Sequence, residues 1–239
     1  MKIYGKNPIL EALKSEITIN KLMVDKGARD AVSNQIISLA RENGVKIEFV
    51  ERFVLDKKAE GKPTQGFIAE VVDFVYSDAE DMLALAKERG EDVFLILLDG
   101  VEDPHNLGAV VRTAECMGAH GVIIPKDRAA SVNDVVLKTS AGAAHRMKIA
   151  RVTNLGRTIE WLKENNVWVY GVELGGDDIA KTNLSGNIAL VLGSEGKGIA
   201  KMIKEKCDHI ITLPMRGKIN SLNVSVACGM ACYAVVCQR

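Results

Sequence analysis

The chain has 239 residues, 47% of them apolar and only five of them proline, which excludes a disordered polypeptide and allows one large or two small folded domains. Lysine plus arginine balance aspartate plus glutamate at 31 each, so no bulk positive charge announces a nucleic-acid binder. No apolar run approaches the roughly 18 residues of a membrane span and no apolar leader follows Met1, so the expectation is a cytoplasmic protein with no membrane partner.

Residues 1–76 alternate short elements. NPILEAL predicts a helix, INKLMVD a strand, and ARDAVSNQIISLARENG a helix closed by Gly44; KIEFV and GFIAEVVDF predict two further strands. EGKPTQG, from Glu60 to Gly66, reads as a loop. Residues 77–92, SDAEDMLALAKERGED, form an acidic helix with a good cap and an end at Gly90, read as the connection between two domains.

From residue 93 the pattern changes. VFLILLDG, GVIIP, MKIARV, WVYGV, IALVLG and HIITLP are short apolar runs, most of them separated by helical stretches. Such runs imply a parallel sheet buried on both faces, with ligands beyond the carboxyl ends of its strands. Charge is uneven here: Arg128, Lys138, Arg146, Lys148 and Arg151 have only Asp134 as an opposing neighbour in sequence, which suits phosphate as well as a solvated face. The five cysteines, Cys116, Cys207, Cys228, Cys232 and Cys237, contain no CxxC pair and read as buried, reduced thiols rather than metal ligands.

Three strand-end loops concentrate the unusual residues. In LLDGVEDPHNLGAVVRTAECMGAHGVII, Pro104 and Asn106 open a helix with Asn106 at or near its cap, and Arg112 lies off the stripe of Leu107, Val110, Val111, Ala114 and Met117. In IALVLGSEGKGI, Glu195 sits among Gly193, Gly196 and Gly198, a spacing that is neither a Walker loop nor the dinucleotide pattern GxGxxG. A nucleotide-dependent dehydrogenase is excluded on that ground. In LPMRGKINSLNVSVA, Asn220, Ser221 and Asn223 precede an alanine-rich helix that Ser221 and Asn223 are able to cap.

Together, NLGAVVRTA, LGSEGKG and LPMRGKINSLNVSVA resemble the three motifs of the SpoU (TrmH) family of RNA ribose 2′-O-methyltransferases, through residues 93–239; MKIYGKNPILEAL is similar to the start of that family's RNA-binding substrate domain. The resemblance implies a Rossmann-like parallel sheet with a C-terminal deep trefoil knot, which topology rules alone would disfavour. It implies a ribosomal-protein-like α/β RNA-binding domain over 1–76, the connection over 77–92 and a catalytic domain over 93–239. It further implies S-adenosyl-L-methionine as cofactor, bound in a bent shape by Gly193, Leu213 and Leu222, with Leu192, Met215 and Ser221 nearby. Arg112 is the implied key catalytic residue, as general base or as a phosphate clamp. Asn106, Glu195, Ser221 and Asn223 complete the implied catalytic set. The implied substrate is RNA, a guanosine of 23S ribosomal RNA, and neither DNA nor membrane; Lys6, Asn7, Lys57, Lys58 and Lys62 are candidate contacts. A homodimer is implied, with the small residues of ACGMACYAVV allowing close helix contact. A tRNA ribose methyltransferase and a non-catalytic RNA-binding or assembly protein of the same fold remain alternatives.

Overall fold

The structure is a computed structural model describing residues 2–14, 19–71, 74–218 and 221–239; Asn220 and the side chain of Asp134 lie outside the described residues. By contacts the chain divides into two units, residues 1–75 and 76–239.

The first unit contains β1 (Lys2–Tyr4), α1 (Lys6–Lys14), β2 (Ile19–Asp25), α2 (Ala31–Glu42), β3 (Lys46–Val50), α3 (Arg52–Ala59) and β4 (Phe67–Val71). Its sheet runs β1-β4-β2-β3, with β2 and β3 parallel and the other pairs antiparallel. Alternation along the strands buries both faces. Leu22, Val24, Phe67 and Ala69 join Ile9, Leu13, Ile36 and Ala40 of α1 and α2. Met23 and Ile68 point the other way, to Leu55 and Ala59 of α3. Neither β1 nor α3 is foreseen in the sequence: β1 is three residues long, and α3 follows β3 after one residue and buries only Leu55 and Ala59. Two of the lysines expected to meet RNA are engaged internally: Lys6 pairs with Asp30 at 2.5 Å, and the Lys62 ammonium stands 4.9 Å from the Tyr4 ring centroid.

The second unit contains α4 (Ala79–Arg89), β5 (Phe94–Asp99), α5 (Pro104–Cys116), β6 (Gly121–Pro125), α6 (Asp134–Thr139), α7 (Ala143–Arg146), β7 (Ile149–Val152), α8 (Leu155–Glu164), β8 (Trp168–Asp178), β9 (Ile188–Gly193), α9 (Lys201–Lys204), β10 (His209–Thr212) and α10 (Val224–Val236). The sheet runs β10-β8-β9-β5-β6-β7 and every pair in it is parallel. One face, through Leu95, Leu97, Ile123, Val169 and Val191, packs on α4 and α8. α10 packs against α5 and β9. The chain leaves β5 toward β6 on one side while β9 lies on its other side, so the carboxyl ends of β5 and β9 form the switch point at which such sheets bind ligands.

Residues 77–92, read from the sequence as the connection between domains, fall within the second unit. α4 has the cap read from sequence, with Asp81 accepting from the Asp78 amide at 3.1 Å, but its Ala79, Met82 and Ala86 are buried in the core of the second unit. Spaced three and four apart, they make one apolar stripe, and burial of that stripe outweighs the acidity of the outer face. The basic cluster is also less open than its sequence suggests: Arg146 pairs with Glu115 at 3.1 Å, and Arg151 donates to the Lys126 carbonyl at 2.9 Å and stacks over Tyr76. Of the cysteines, Cys228 and Cys232 are buried one turn apart on α10 with sulfurs 3.7 Å apart, whereas Cys116 and Cys237 are exposed. The hydrogen bond between the two thiols, together with burial, raises the Cys228 pKa well above its ordinary range.

Candidate active site

Three strand-end loops meet at the carboxyl end of the second sheet. The first is set by α5, whose cap is Asp103 rather than Asn106: the Asp103 carboxylate accepts from the His105 amide at 2.9 Å and Pro104 takes the first helical position. Asn106, three residues past the cap, is thereby freed to face outward. Its Nδ2 donates to Glu195 Oε1 at 3.1 Å.

Asn223 closes the network from the third loop. It caps α10, its Oδ1 accepting from Ser225 N at 2.9 Å and Ser225 Oγ at 2.6 Å. The cap commits the amide oxygen, so the Nδ2 must point away from the helix. That nitrogen donates to Asn106 Oδ1 at 2.9 Å and to Glu195 Oε1 at 2.5 Å. The structural role expected of Asn223 and its place in the site are therefore one arrangement. Positions separated by 89, 28 and 117 residues meet in a single exposed junction.

Glu195 rides on the glycine loop after β9. Gly196 and Gly198 adopt φ of 81° and 66°, the left-handed region that side chains disfavour, and the Gly198 amide donates to the Ser194 carbonyl at 2.9 Å. Gly193 is constrained differently. A Cβ there would lie 2.0 Å from the Gly198 carbonyl carbon and 2.2 Å from the Ile199 nitrogen, so its absence lets the loop fold back on the strand end.

Beside the junction lies a cavity of about 320 Å³. Its walls include all six residues expected to hold a cofactor: Leu192, Gly193, Leu213, Met215, Ser221 and Leu222. Glu195 lines it too, at the border with the junction. The size falls at the low end of small-ligand pockets, about 300–1,000 Å³. Val172, Glu173 and Leu174 in the middle of β8 also line it, and none of the three was singled out from sequence. The only local signal for them was the polar ELGG that breaks the apolar run WVYGV.

Arg112 stands apart from this junction. It lies six residues beyond Asn106, about 9 Å along the helix axis, and is exposed. Among the described residues it makes no hydrogen bond or ion pair, so neither Asn106 nor Glu195 holds it, as the sequence reading had allowed. A free, exposed guanidinium is suited to a phosphate or another anion from outside.

These features agree with what the chain resembles. Residues 93–233 match the SpoU rRNA Methylase family, and residues 2–77 match the domain described as RNA 2′-O ribose methyltransferase substrate binding. The chain belongs to the SpoU family and is an RNA methyltransferase. It is 43% identical to YacO of Bacillus subtilis (strain 168), named for the TrmH family of tRNA/rRNA methyltransferases, over 99% of this chain and 95% of the relative. It is 41% identical to the 23S rRNA (guanosine-2′-O-)-methyltransferase RlmB of Coxiella burnetii, over 99% and 94%. In fold it is similar to the SpoU methyltransferase AviRb of Streptomyces viridochromogenes, solved with AdoMet, with a TM-score of 0.70, 22% identity and coverage of 100% of this chain and 90% of that one.

Proposed function

We propose that this chain transfers a methyl group from S-adenosyl-L-methionine to the 2′-hydroxyl of a guanosine in 23S ribosomal RNA. The observation that carries the reading is the junction of Asn106, Glu195 and Asn223 at the border of the cavity walled by Leu192, Gly193, Leu213, Met215, Ser221 and Leu222. Similarity to RlmB supports the guanosine of ribosomal RNA, and the cofactor named with AviRb supports the donor.

The lining fits such a donor. Leucine and methionine side chains suit a flat purine, glycine-exposed main chain suits polar ring edges, and Glu195 suits a ligand of net positive charge. When bound, the donor supplies a methyl group already activated by the sulfonium charge. The chain's own task is to place a hydroxyl oxygen in line and to manage one proton. A guanidinium stays protonated in proteins, so Arg112 serves better as a clamp on the nucleotide phosphate that also stabilises charge developing on the 2′ oxygen. Asn106, Asn223 and Ser221 orient the ribose, and Glu195 fixes the two asparagines. Residues 1–76 bind the substrate RNA and residues 93–239 carry the chemistry. The deep trefoil knot, built from the segments after β9 and β10, belongs to this reading.

A homodimer belongs to it as well. On α10, Val226, Met230, Tyr233 and Val236 stand exposed along one side while Cys228, Ala231, Cys232 and Val235 are buried on the other. A helix apolar all round needs a second cover. Sedimentation at micromolar concentration showing a monomer would remove the dimer.

The test of the activity is direct. Purified protein with labelled S-adenosyl-L-methionine is offered deproteinised 23S RNA or total tRNA, and alkali-resistant linkages are mapped. One resistant guanosine linkage in 23S RNA is expected. Label confined to tRNA, or incorporated in neither, overturns the proposal.

A further inference from the structure

We propose that Glu173 is a positioning residue for the donor pocket: aimed by a bulge in β8, its carboxylate holds the main chain of the glycine loop in the shape that receives the donor. The inference rests on the reading of the cavity as an S-adenosyl-L-methionine site.

The bulge is visible in the strand register. β10 pairs with β8 at His209↔Tyr170 and Ile210↔Gly171, then resumes at Ile211↔Asp177 and Thr212↔Asp178. Ile210 and Ile211 are consecutive, so residues 172–176 of β8 have no partner on β10. An ordinary bulge carries one extra residue. An excursion this large needs pins, and Thr212 provides them: its hydroxyl donates to the Glu173 carbonyl at 2.7 Å and accepts from the Gly176 amide at 2.7 Å. Gly176 completes the closure, because a Cβ there would fall 2.1 Å from the Ile210 carbonyl oxygen.

Pinned in this way, the bulge presents the Glu173 side chain to the far end of the glycine loop. Oε2 accepts from the Ile199 amide at 3.0 Å, and Oε1 pairs with Lys204 Nζ at 3.1 Å. The next amide along, Ala200 N, donates to Asp99 Oδ2 at 2.7 Å. Two carboxylates from different strands thus seize consecutive amides where the loop ends. The loop start is fixed by the close approach of Gly193 to Gly198. Every residue between, from Gly193 to Gly198, lines the cavity, and Glu195 also anchors the asparagine junction. A charged acceptor makes a stronger bond to an amide than a neutral one. Lys204 neutralises Glu173, so its action on a cationic donor runs through the loop main chain rather than through its own charge.

The test compares substitutions by calorimetric titration of S-adenosyl-L-methionine and by amide exchange of a peptide spanning residues 194–200. Glu173→Ala removes the acceptor and is expected to weaken donor binding about tenfold or more, with faster exchange in that peptide. Glu173→Gln keeps an oxygen that accepts from Ile199 and is expected to bind within about threefold of the unaltered protein. Should the alanine variant not fold, Glu173→Asp, too short to reach Ile199, is expected to behave as alanine would. Unchanged affinity in a folded alanine or aspartate variant overturns the proposal. So does a glutamine variant as weak as alanine, because charge rather than the acceptor would then be sensed. No binding to the unaltered protein overturns the reading of the cavity itself.

Discussion

At the carboxyl end of the six-stranded sheet, Asp99, Asn106, Glu173, Glu195 and Asn223 bind loops around a cavity; at the amino end, His120, Asn187 and Arg239 bind loops that contribute nothing to it. The chemistry is the same at both ends, side chains satisfying main-chain groups that the strands leave unpaired. At the amino end Arg239 donates to the carbonyls of Asp92, Val93 and Gly186 at 2.9, 3.0 and 2.7 Å and lies over the Phe94 ring. Asn187 accepts from the Val93 amide at 2.8 Å. Buried His120 accepts from the Phe94 amide at Nδ1, which leaves its proton on Nε2, facing Glu91 at 3.0 Å. There, each polar group is spent on the fold. At the carboxyl end Ser221 stays exposed, as does Arg112 farther along α5. A polar cluster thus reads as functional by what it leaves unspent beside a cavity, not by its polarity.

The largest test of this contrast is Arg112→Ala. Turnover is expected to fall about 10²–10³-fold, the usual cost of removing one donor to a developing charge, while donor affinity and melting temperature stay unchanged. Arg112→Lys separates the two roles. Lysine lacks the planar fork but lowers its pKa readily on burial, so a clamp predicts a variant nearly as inactive as alanine. Single-turnover activity in that variant that rises with pH would make Arg112 a base.

Next in size is Gly193→Ala. The added carbon meets loop main chain rather than a flexible side chain, so the loop must move and donor affinity is expected to drop about tenfold, roughly 1.4 kcal/mol, in a folded protein. Calorimetry showing full affinity would mean the loop shape is irrelevant to binding.

The amino end predicts the opposite split. Arg239→Ala is expected to cost roughly 2 kcal/mol in urea denaturation, because three carbonyls lose a charged donor, yet leave kcat/KM of the folded fraction intact. A loss of activity at unchanged stability would erase the distinction between the two ends.

The smallest effect concerns pH. Burial holds the His120 imidazole below its ordinary value, outweighing the opposing pull of Glu91; Arg89 and Arg239 act in the same direction as burial. The unfolded chain therefore binds the proton more readily. The stability from neutral His120 is full above about pH 6.5 and is lost as pH falls through that range. Denaturation midpoints should decline between pH 7 and 5, and the decline should shrink in His120→Gln. An unchanged slope in that variant would assign the pH dependence elsewhere.

Much of this architecture was legible in the chain. Apolar runs marked the parallel strands, Gly90 marked the end of α4, and the glycines after β9 marked a loop needing unusual backbone. Of the site, Asn106, Glu195 and Asn223 were read from motifs and do meet. Arg112 was read from the same motif, yet it lies outside their junction.

What escaped was non-local. Whether α4 bridges domains or fills a core depends on what covers Met82, and no cap or charge pattern encodes that. Where β8 bulges after WVYGV depends on Thr212, which is 39 residues beyond the Glu173 it pins. That Glu173 matters at all depends on the Ile199 amide, 26 residues further on. Caps, periodicity and φ preferences are properties of a few neighbouring residues, so they are written into the sequence where they act. The bulge, the two-carboxylate grip and the Arg239 staple are closures between distant segments, and they exist only once the parallel sheet has set its strands side by side.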